Sequence, residues 1–395
     1  EYPMIIDNSK KYVKFKLKNA GFIDSFISES NVIKDLNNQR KEEIDTNFNE
    51  VSGNSFNLKY KKIININERT SGFFVNHNDK KKIFEIYLQE GLMIKDNQAK
   101  EVNLPYNISF EKNGGVKSIF KINKNIFLLL SNKENINCYY ASIFSLSINK
   151  TLFKTDCLPD YENVDFNGLG GAFVELENSF LLSIGAPEWN SSEIRSLAQD
   201  TNSLYGKFIL FKKEPFIKNK IITTKDYTVF SLGHKNPQGI TKVENKLLSV
   251  EHGPQGGDEI NLLKKGSNYG WPLVSYGTLY NDGKSFKKMT KNIDAPIFSF
   301  LPSIAPSSIN NCPDNLKNYY KKNYCLIILS LRGQAIFVAL IDKKKMNLVS
   351  IEKFKIGQRL RHFGLNSKNL LFQKDDSFYI SIDSEGVYEI SFGDF

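Results

Sequence analysis

From about residue 60 onward the chain is a succession of short apolar runs, rich in β-branched and aromatic residues, broken repeatedly by Asn, Asp, Gly and Lys. Runs at 82–88, 116–122, 126–130, 140–148, 171–176, 179–184, 207–211, 247–250, 326–329, 335–340 and 378–381 have the length of strands. Turn clusters such as 123–125 and Asp282-Gly283 separate them. Such side chains suit the pleated, half-buried surface of a sheet. Many short strands with almost no helical period predict a sandwich, barrel or propeller. So long a stretch favours a propeller, because radial repetition lets a β structure grow without one oversized core. No clear internal sequence repeat accompanies it.

Residues 1–60 have a different texture. The stretch 24–51 is polar and charge-rich, with Phe26, Ile27, Val32, Ile33 and Leu36 at spacings compatible with an amphipathic helix that Ser28 or Ser30 would cap. The expected organisation is a partly helical N-terminal extension over 1–60 and an all-β domain over 61–395.

Composition is globular, with 41% hydrophobic and 24% charged residues. Lys and Arg number 53 against 43 Asp and Glu, a net charge of +10. The lysines sit mostly in turn-like stretches such as 80–82 and 343–345, as solvating charge does. No basic stretch carries regularly spaced stacking aromatics, which argues against nucleic acid as partner. No apolar run approaches the roughly 20 residues of a transmembrane helix. The chain opens on Glu1 without an apolar leader, as expected of a processed or trimmed N-terminus. Cys138, Cys157, Cys312 and Cys325 allow three pairings. In an exported protein Cys312 with Cys325 is the expected pair; in a reducing compartment all four would be buried thiols.

The most specific stretch is Glu251-His-Gly-Pro-Gln-Gly-Gly-Asp-Glu-Ile-Asn-Leu-Leu-Lys-Lys-Gly-Ser-Asn-Tyr-Gly-Trp-Pro272. Upstream stand Asn113-Gly-Gly115, Gly170-Gly171, Ile184-Gly185, Ala198-Gln-Asp200, Gly206-Lys207 and Gly233-His-Lys-Asn-Pro-Gln-Gly239. Downstream follow Pro302-Ser-Ile-Ala-Pro-Ser307, Ser330-Leu-Arg332 and Arg359-Leu-Arg361. In this order, over roughly residues 70–393, the series resembles the soluble quinoprotein glucose/sorbosone dehydrogenases, sugar dehydrogenases that use pyrroloquinoline quinone. The resemblance implies a six-bladed β-propeller with its site at one end of the central channel, in a periplasmic or secreted protein. It also implies that residues 387–392 form a strand helping to close the ring.

The residues fit that chemistry. Gly253 and Pro254 would expose carbonyl oxygens on a tight turn, and such hard ligands suit Ca²⁺. The resemblance assigns a second Ca²⁺ to Asp258, Glu259 and the carbonyl of Tyr269, although Asp258 and Glu259 would also serve as turn caps in a Gly-rich loop. A cofactor with three carboxylates and an ortho-quinone needs several fixed cations and amides. The resemblance places cofactor contacts at Asn113, Lys235, Asn236, Gln238, His252, Ala305, Arg332, Arg359 and Arg361. Arg359 and Arg361, two apart on one strand, share a face. In isolation these cations read equally as partners in surface ion pairs.

Three positions depart from the pattern. Gly168 stands where the family places the histidine that takes the sugar's hydroxyl proton. Asp165 is the nearest titratable substitute, and it reads equally as a turn carboxylate. Leu301 stands where some members stack an aromatic on the cofactor, unless Phe300 turns inward. Lys235 replaces an arginine and keeps charge without bidentate geometry. Two expectations follow: a quinoprotein oxidising a sugar hydroxyl weakly or not at all, or a non-catalytic propeller binding an anionic ligand or partner protein. Nothing in the sequence names the sugar or the electron acceptor.

Overall fold

The computed structural model describes residues 44, 47–78, 81–96, 98–280, 283–287, 290–374 and 376–393. The expected helix within 24–51 falls largely outside them; Val51 itself lies in a strand.

Each apolar run of the sequence falls in a strand, apart from the ends of the runs at 140–148 and 171–176, and the strands form antiparallel sheets in chain order. The first two, β1 (Asn49–Ser52) and β2 (Asn57–Asn65), pair with each other. Next come β3 (Thr70–Asn78), β4 (Lys81–Leu88), β5 (Leu92–Lys95) and β6 (Gln98–Glu101). A four-stranded sheet follows from β7 (Val116–Ile122), β8 (Asn125–Asn135), β9 (Cys138–Ser145) and β10 (Lys150–Lys154). The next comprises β11 (Gly170–Glu175), β12 (Ser179–Ile184), β13 (Lys207–Lys212) and β14 (Tyr227–Leu232). Another comprises β15 (Asn236–Val243), β16 (Lys246–His252), β17 (Asp258–Leu263) and β18 (Phe298–Phe300). Then come β19 (Pro306–Asn311), β20 (Asn323–Ser330), β21 (Ala335–Asp342) and β22 (Leu348–Lys355). The last strands are β23 (Leu360–Leu365), β24 (Ser377–Ile382) and β25 (Gly386–Gly393).

The two ends of the chain meet in one sheet. β2 pairs antiparallel with β25 on the flank away from β24, and β1 adds outside it. The expected boundary at residue 61 therefore falls inside a strand: residues 49–60 belong to the β structure. The 387–392 stretch lies in β25, as expected, but the strand that completes its sheet comes from the N-terminal side. A two-residue parallel pairing of β23 with β3 joins this sheet to β3–β6.

The first strands of successive sheets touch in the order β3, β7, β11, β15, β19, β23 and back to β3. Sheets pack face to face around that circuit, so strands covered on both sides read as continuous apolar runs rather than alternating ones. In β9 all eight residues are buried; in the outer strand β22 only Phe354 is. The core is a series of inter-sheet layers. One gathers Phe120 and Phe127 with Phe180 and Phe211, another Ile327 and Leu329 with Phe378 and Ile380.

A repeat that the sequence hides appears in the register. Each first strand slips against its neighbour near its start, between Thr70 and Gly72, Val116 and Ser118, Gly170 and Phe173, Pro237 and Gly239, Pro306 and Ser308, and Leu360 and Phe363. Such bulges re-aim side chains at the rims of closed structures. At these slips Ser71, Ser118, Gly171, Gln238, Ser308 and His362 line one shared cavity of about 450 Å³. Disulfides join Cys138 to Cys157 and Cys312 to Cys325, the second with Cα atoms 5.4 Å apart across the β19–β20 connection.

Lys207 on β13 is fully buried, and its ammonium donates to the carbonyls of Leu197, Ala198 and Tyr205 at 2.8, 3.1 and 2.7 Å. It ties down the 197–205 loop. Lys207→Met should therefore lower the free energy of unfolding by about 3 kcal/mol or more, through stranded carbonyls. Urea denaturation checks this; an unchanged midpoint would contradict the assignment.

Candidate functional site

Two loops meet over the start of β19, and one carboxylate joins them. Asp258 opens β17 and is buried. Its Oδ1 accepts from the Gly253 amide at 3.0 Å and the Ser303 hydroxyl at 3.1 Å, and its Oδ2 from the amides of Ile304 and Ala305, both at 2.7 Å. These bonds hold Ala305 at φ +51°, a left-handed conformation that a non-glycine residue keeps only when over-determined. The Arg332 amide donates to the carbonyl of Ile304 in the same loop. Asp258, an expected Ca²⁺ ligand, thus anchors both loops through its two carboxylate oxygens.

The expected cations Arg359 and Arg361 do share a face: both reach Asp383, Arg361 through Nη2 at 2.6 Å and Arg359 through Nε at 3.5 Å. Burial raises the Asp383 pKa, but Arg361, Arg69 and Arg359 bring it below the ordinary carboxylate value. Arg69 stands nearby, its Nη1 3.3 Å from both Gln89 Oε1 and Asn167 Oδ1. Lys117 donates to the Asn113 carbonyl at 2.8 Å, while the Asn113 amide donates to Asp165 at 3.0 Å. Arg69, Lys117 and Asp383 escaped the reading of the sequence. The available signal was that Lys117 follows Asn113-Gly-Gly115 at the start of a strand.

Around Asn236 every polar atom is engaged. Its Oδ1 accepts from the Gly170 amide at 3.1 Å and from Gln238 Nε2 at 2.6 Å; its Nδ2 donates to the Asn167 carbonyl at 3.1 Å. Nδ2 also lies 3.2 Å from His252 Nδ1, which must accept, so His252 Nε2 carries the proton it gives to the Pro306 carbonyl at 3.0 Å. Burial, with Lys235 and Arg361, pushes His252 down to about 4, against Asp258. His252 is a neutral strut between β16 and β19. The Lys235 ammonium, 5.5 Å from the centre of the Trp271 ring, has its pKa lowered by burial against the pull of Glu188, Asp258, Asp165 and Glu251.

Oxygen donors fit for Ca²⁺ are present. Gly253 and Pro254 are buried, and their carbonyls accept no hydrogen bond among the described residues. Gly253 is forced by a close approach, since a Cβ there would stand 2.2 Å from the Gly257 oxygen. On the adjacent strand pair Glu259 faces Glu251 across the β16–β17 ladder. Glu251 is spent on His234 Nδ1 (3.0 Å), Asn261 Nδ2 (2.8 Å) and the Lys235 amide (3.0 Å). Glu259 is pushed up to about 8 by burial and by Glu251, and Asn261 Oδ1 is buried without a partner. A hard cation would relieve both. Tyr269 lies close by, stacked on His234 with ring centres 4.7 Å apart.

The position expected to hold a base is crowded as well as bare. Gly168 ends a single 3-10 turn capped by Asp165, whose carboxylate accepts from the Asn167 amide at 2.9 Å. Asp165 therefore acts as a turn carboxylate. A Cβ on Gly168 would lie 3.0 Å from Pro187 Cα and 3.3 Å from the Ala186 oxygen. Phe300 is buried against Phe298 and Phe337, so it does not turn toward the site, and Leu301 is exposed. An aromatic pair absent from the expectations, Trp189 and Tyr280, stands exposed with near-parallel rings 6.3 Å apart.

A model of the Glucose / Sorbosone dehydrogenase family matches residues 94–386. Aldose sugar dehydrogenase YliI of Escherichia coli (strain K12) is 30% identical over 209 residues, 49% of this chain and 53% of that protein. Quinoprotein glucose dehydrogenase B of Acinetobacter calcoaceticus is 56% identical over 48 residues, 12% of this chain and 10% of that one. The chain spans about half or less of the length of the curated relatives it matches. Among solved structures, the apo-form soluble aldose sugar dehydrogenase of Escherichia coli superposes with a TM-score of 0.66 at 21% identity, covering 85% of this chain and 99% of that one. The PQQ-bound aldose sugar dehydrogenase of Streptomyces coelicolor gives 0.58 at 16%, covering 87% and 100%. At such identities the likeness is one of fold.

Asp258→Asn puts an amide NH₂ where two backbone N–H groups now converge. It should cost about 2–4 kcal/mol of stability and accelerate hydrogen exchange at the Ile304 and Ala305 amides. Protection at those two amides equal to wild type would show that the loop is held by something else.

Proposed function

The chain belongs to the glucose/sorbosone dehydrogenase family, and from that membership we propose that it is a six-bladed propeller that binds pyrroloquinoline quinone and Ca²⁺ and oxidises an aldose hydroxyl feebly. The observation that carries this reading is the cation cluster at one end of the channel. Three guanidinium groups, Arg69, Arg359 and Arg361, act on the one carboxylate Asp383, with the amine of Lys117 beside them. A cofactor with three carboxylates suits such an excess.

When bound, the quinone supplies a hydride acceptor. Arg359 and Arg361, already oriented by Asp383, would hold its carboxylates. The free carbonyls of Gly253 and Pro254 offer ligands to one Ca²⁺, and Glu259, with Asn261 Oδ1 and the Tyr269 carbonyl, to a second. What these residues lack is a proton acceptor for the sugar. Gly168 has no side chain, and Asp165 Oδ1 is held by Asn113 and the Asn167 amide. A general base contributes about 10²–10⁴-fold in rate. The two disulfides support placement in an oxidising compartment, periplasmic or secreted. Among the described residues no helix is long and apolar enough to cross a membrane.

The missing base also favours a second reading, a propeller that binds an anionic ligand without turning it over. Titration of the purified chain with pyrroloquinoline quinone and Ca²⁺, followed by a panel of aldoses and a dye acceptor, separates the two. Saturable cofactor binding with turnover about 100-fold or more below an active dehydrogenase is expected. Gly168→His should raise that rate if Pro187 yields the few tenths of an ångström a Cβ requires. Rapid turnover by the unmodified chain would refute the account of a lost base, and no cofactor binding would leave the anion-binding reading.

A further inference from the structure

Among the side chains set in the six bulges of the channel wall, two carry charge. Arg361 lies in the β23 bulge and Lys117 in the β7 bulge, with Ser71 of β3 between them in the circuit. Gln238 holds the corresponding place in β15. Lys117 thus occupies in its own sheet the place that Arg361, an expected cofactor contact, occupies in another. The hydrogen-bond acceptor of its ammonium is the neutral Asn113 carbonyl, and Arg69 beside it donates to two neutral amide oxygens.

We propose that Arg69 and Lys117 complete, with Arg361, a seat for one carboxylate of the bound polyanion, and that filling this seat loads a proton onto Lys117. The proposal rests on the cofactor reading above and adds to it two residues outside the family motifs. Burial first, then Arg69 and Arg361, lower the amine of Lys117 to about 7, and Asp165 alone pulls the other way. His362, on the same strand as Arg361, is held down to about 3 by burial and by Arg361, so it adds no charge near neutral pH. Asp383 is already committed to Arg361 and Arg359. An arriving carboxylate supplies the counter-charge that Lys117 lacks, which favours the ammonium. Above about pH 7 the free amine is largely neutral, so binding must take up a proton; below about pH 6 it is already charged and uptake vanishes.

The test is calorimetric titration of the full chain with pyrroloquinoline quinone in Ca²⁺, in buffers of different ionisation enthalpy, near pH 8 and near pH 6. Wild type should take up most of one proton near pH 8 and little near pH 6. Lys117→Met should bind about 10- to 100-fold more weakly with the uptake gone. Lys117→Arg, charged at every pH, should keep the affinity and lose the uptake. Unchanged affinity and uptake in Lys117→Met, or uptake persisting in Lys117→Arg, would overturn the seat. Should wild type bind no pyrroloquinoline quinone, the cofactor reading fails and citrate becomes the probe. Citrate binding with Lys117-dependent proton uptake would sustain the seat; no citrate binding would overturn it.

Discussion

A strand lining a channel can re-aim a side chain at the channel end where its register with the outer neighbour is broken. Each of the six first strands carries such a slip of register near its start. The functional end of the molecule depends on that repeated bulge. It brings Lys117, Gln238 and Arg361 to corresponding places around the wall, and the loops above must then be built to match. Asp258 does so on one side by gathering the Gly253 turn and the 303–305 loop onto one carboxylate. Asp383 does so on the other by orienting Arg359 and Arg361. Both acids are bound to the chain itself. Each fixes the groups that would meet a ligand.

This division separates residues that touch a ligand from those that place them. Asn236, His252 and Glu251 carry family motifs, yet their hydrogen bonds run to the chain: Asn236 to Gly170 and Asn167, His252 to Pro306, Glu251 to His234. Buried polar groups satisfied this fully rigidify a site. The groups left with capacity are the carbonyls of Gly253 and Pro254, the Glu259–Asn261 pair and the cations along the channel end. In the proposed reading binding and proton abstraction reside in different loops, so the first can persist without the second. Gly168 belongs to the turn before β11, whereas the cations come from β7, β23 and the connection into β3.

Much of this was legible in the sequence. Strand runs announced themselves by composition and length, and the ordered motifs around 113, 233–239, 251–272, 302–307, 332 and 359–361 marked the site. Cys312 with Cys325 was the expected pair for an exported protein and is bonded, whereas the Cys138–Cys157 bond was not expected. Other features were hidden for physical reasons. The bulge accepts Ser71, Lys117, Gln238 and Arg361 alike, so its repetition has no compositional signature. The pairing of β2 with β25 joins residues more than three hundred positions apart, which local patterning does not encode. Asp258 read as a cation ligand or a turn cap, and its bonds to the Ile304 and Ala305 amides were hidden because those lie 46 and 47 residues further along the chain. Arg69 lay outside every motif.

The central claim is that the channel end is assembled to receive a polyanionic cofactor with Ca²⁺ beside it. The most direct measurement is a crystal structure of the chain grown with pyrroloquinoline quinone and Ca²⁺. The account predicts a planar ligand at the end of the channel with its carboxylates against Arg359, Arg361 and the Arg69–Lys117 pair. It further predicts metal density at the carbonyls of Gly253 and Pro254, with Asp258 still bound to Ile304 and Ala305. A ligand seated on another face of the ring, or Asp258 turned away from its loop to hold the metal, would contradict it.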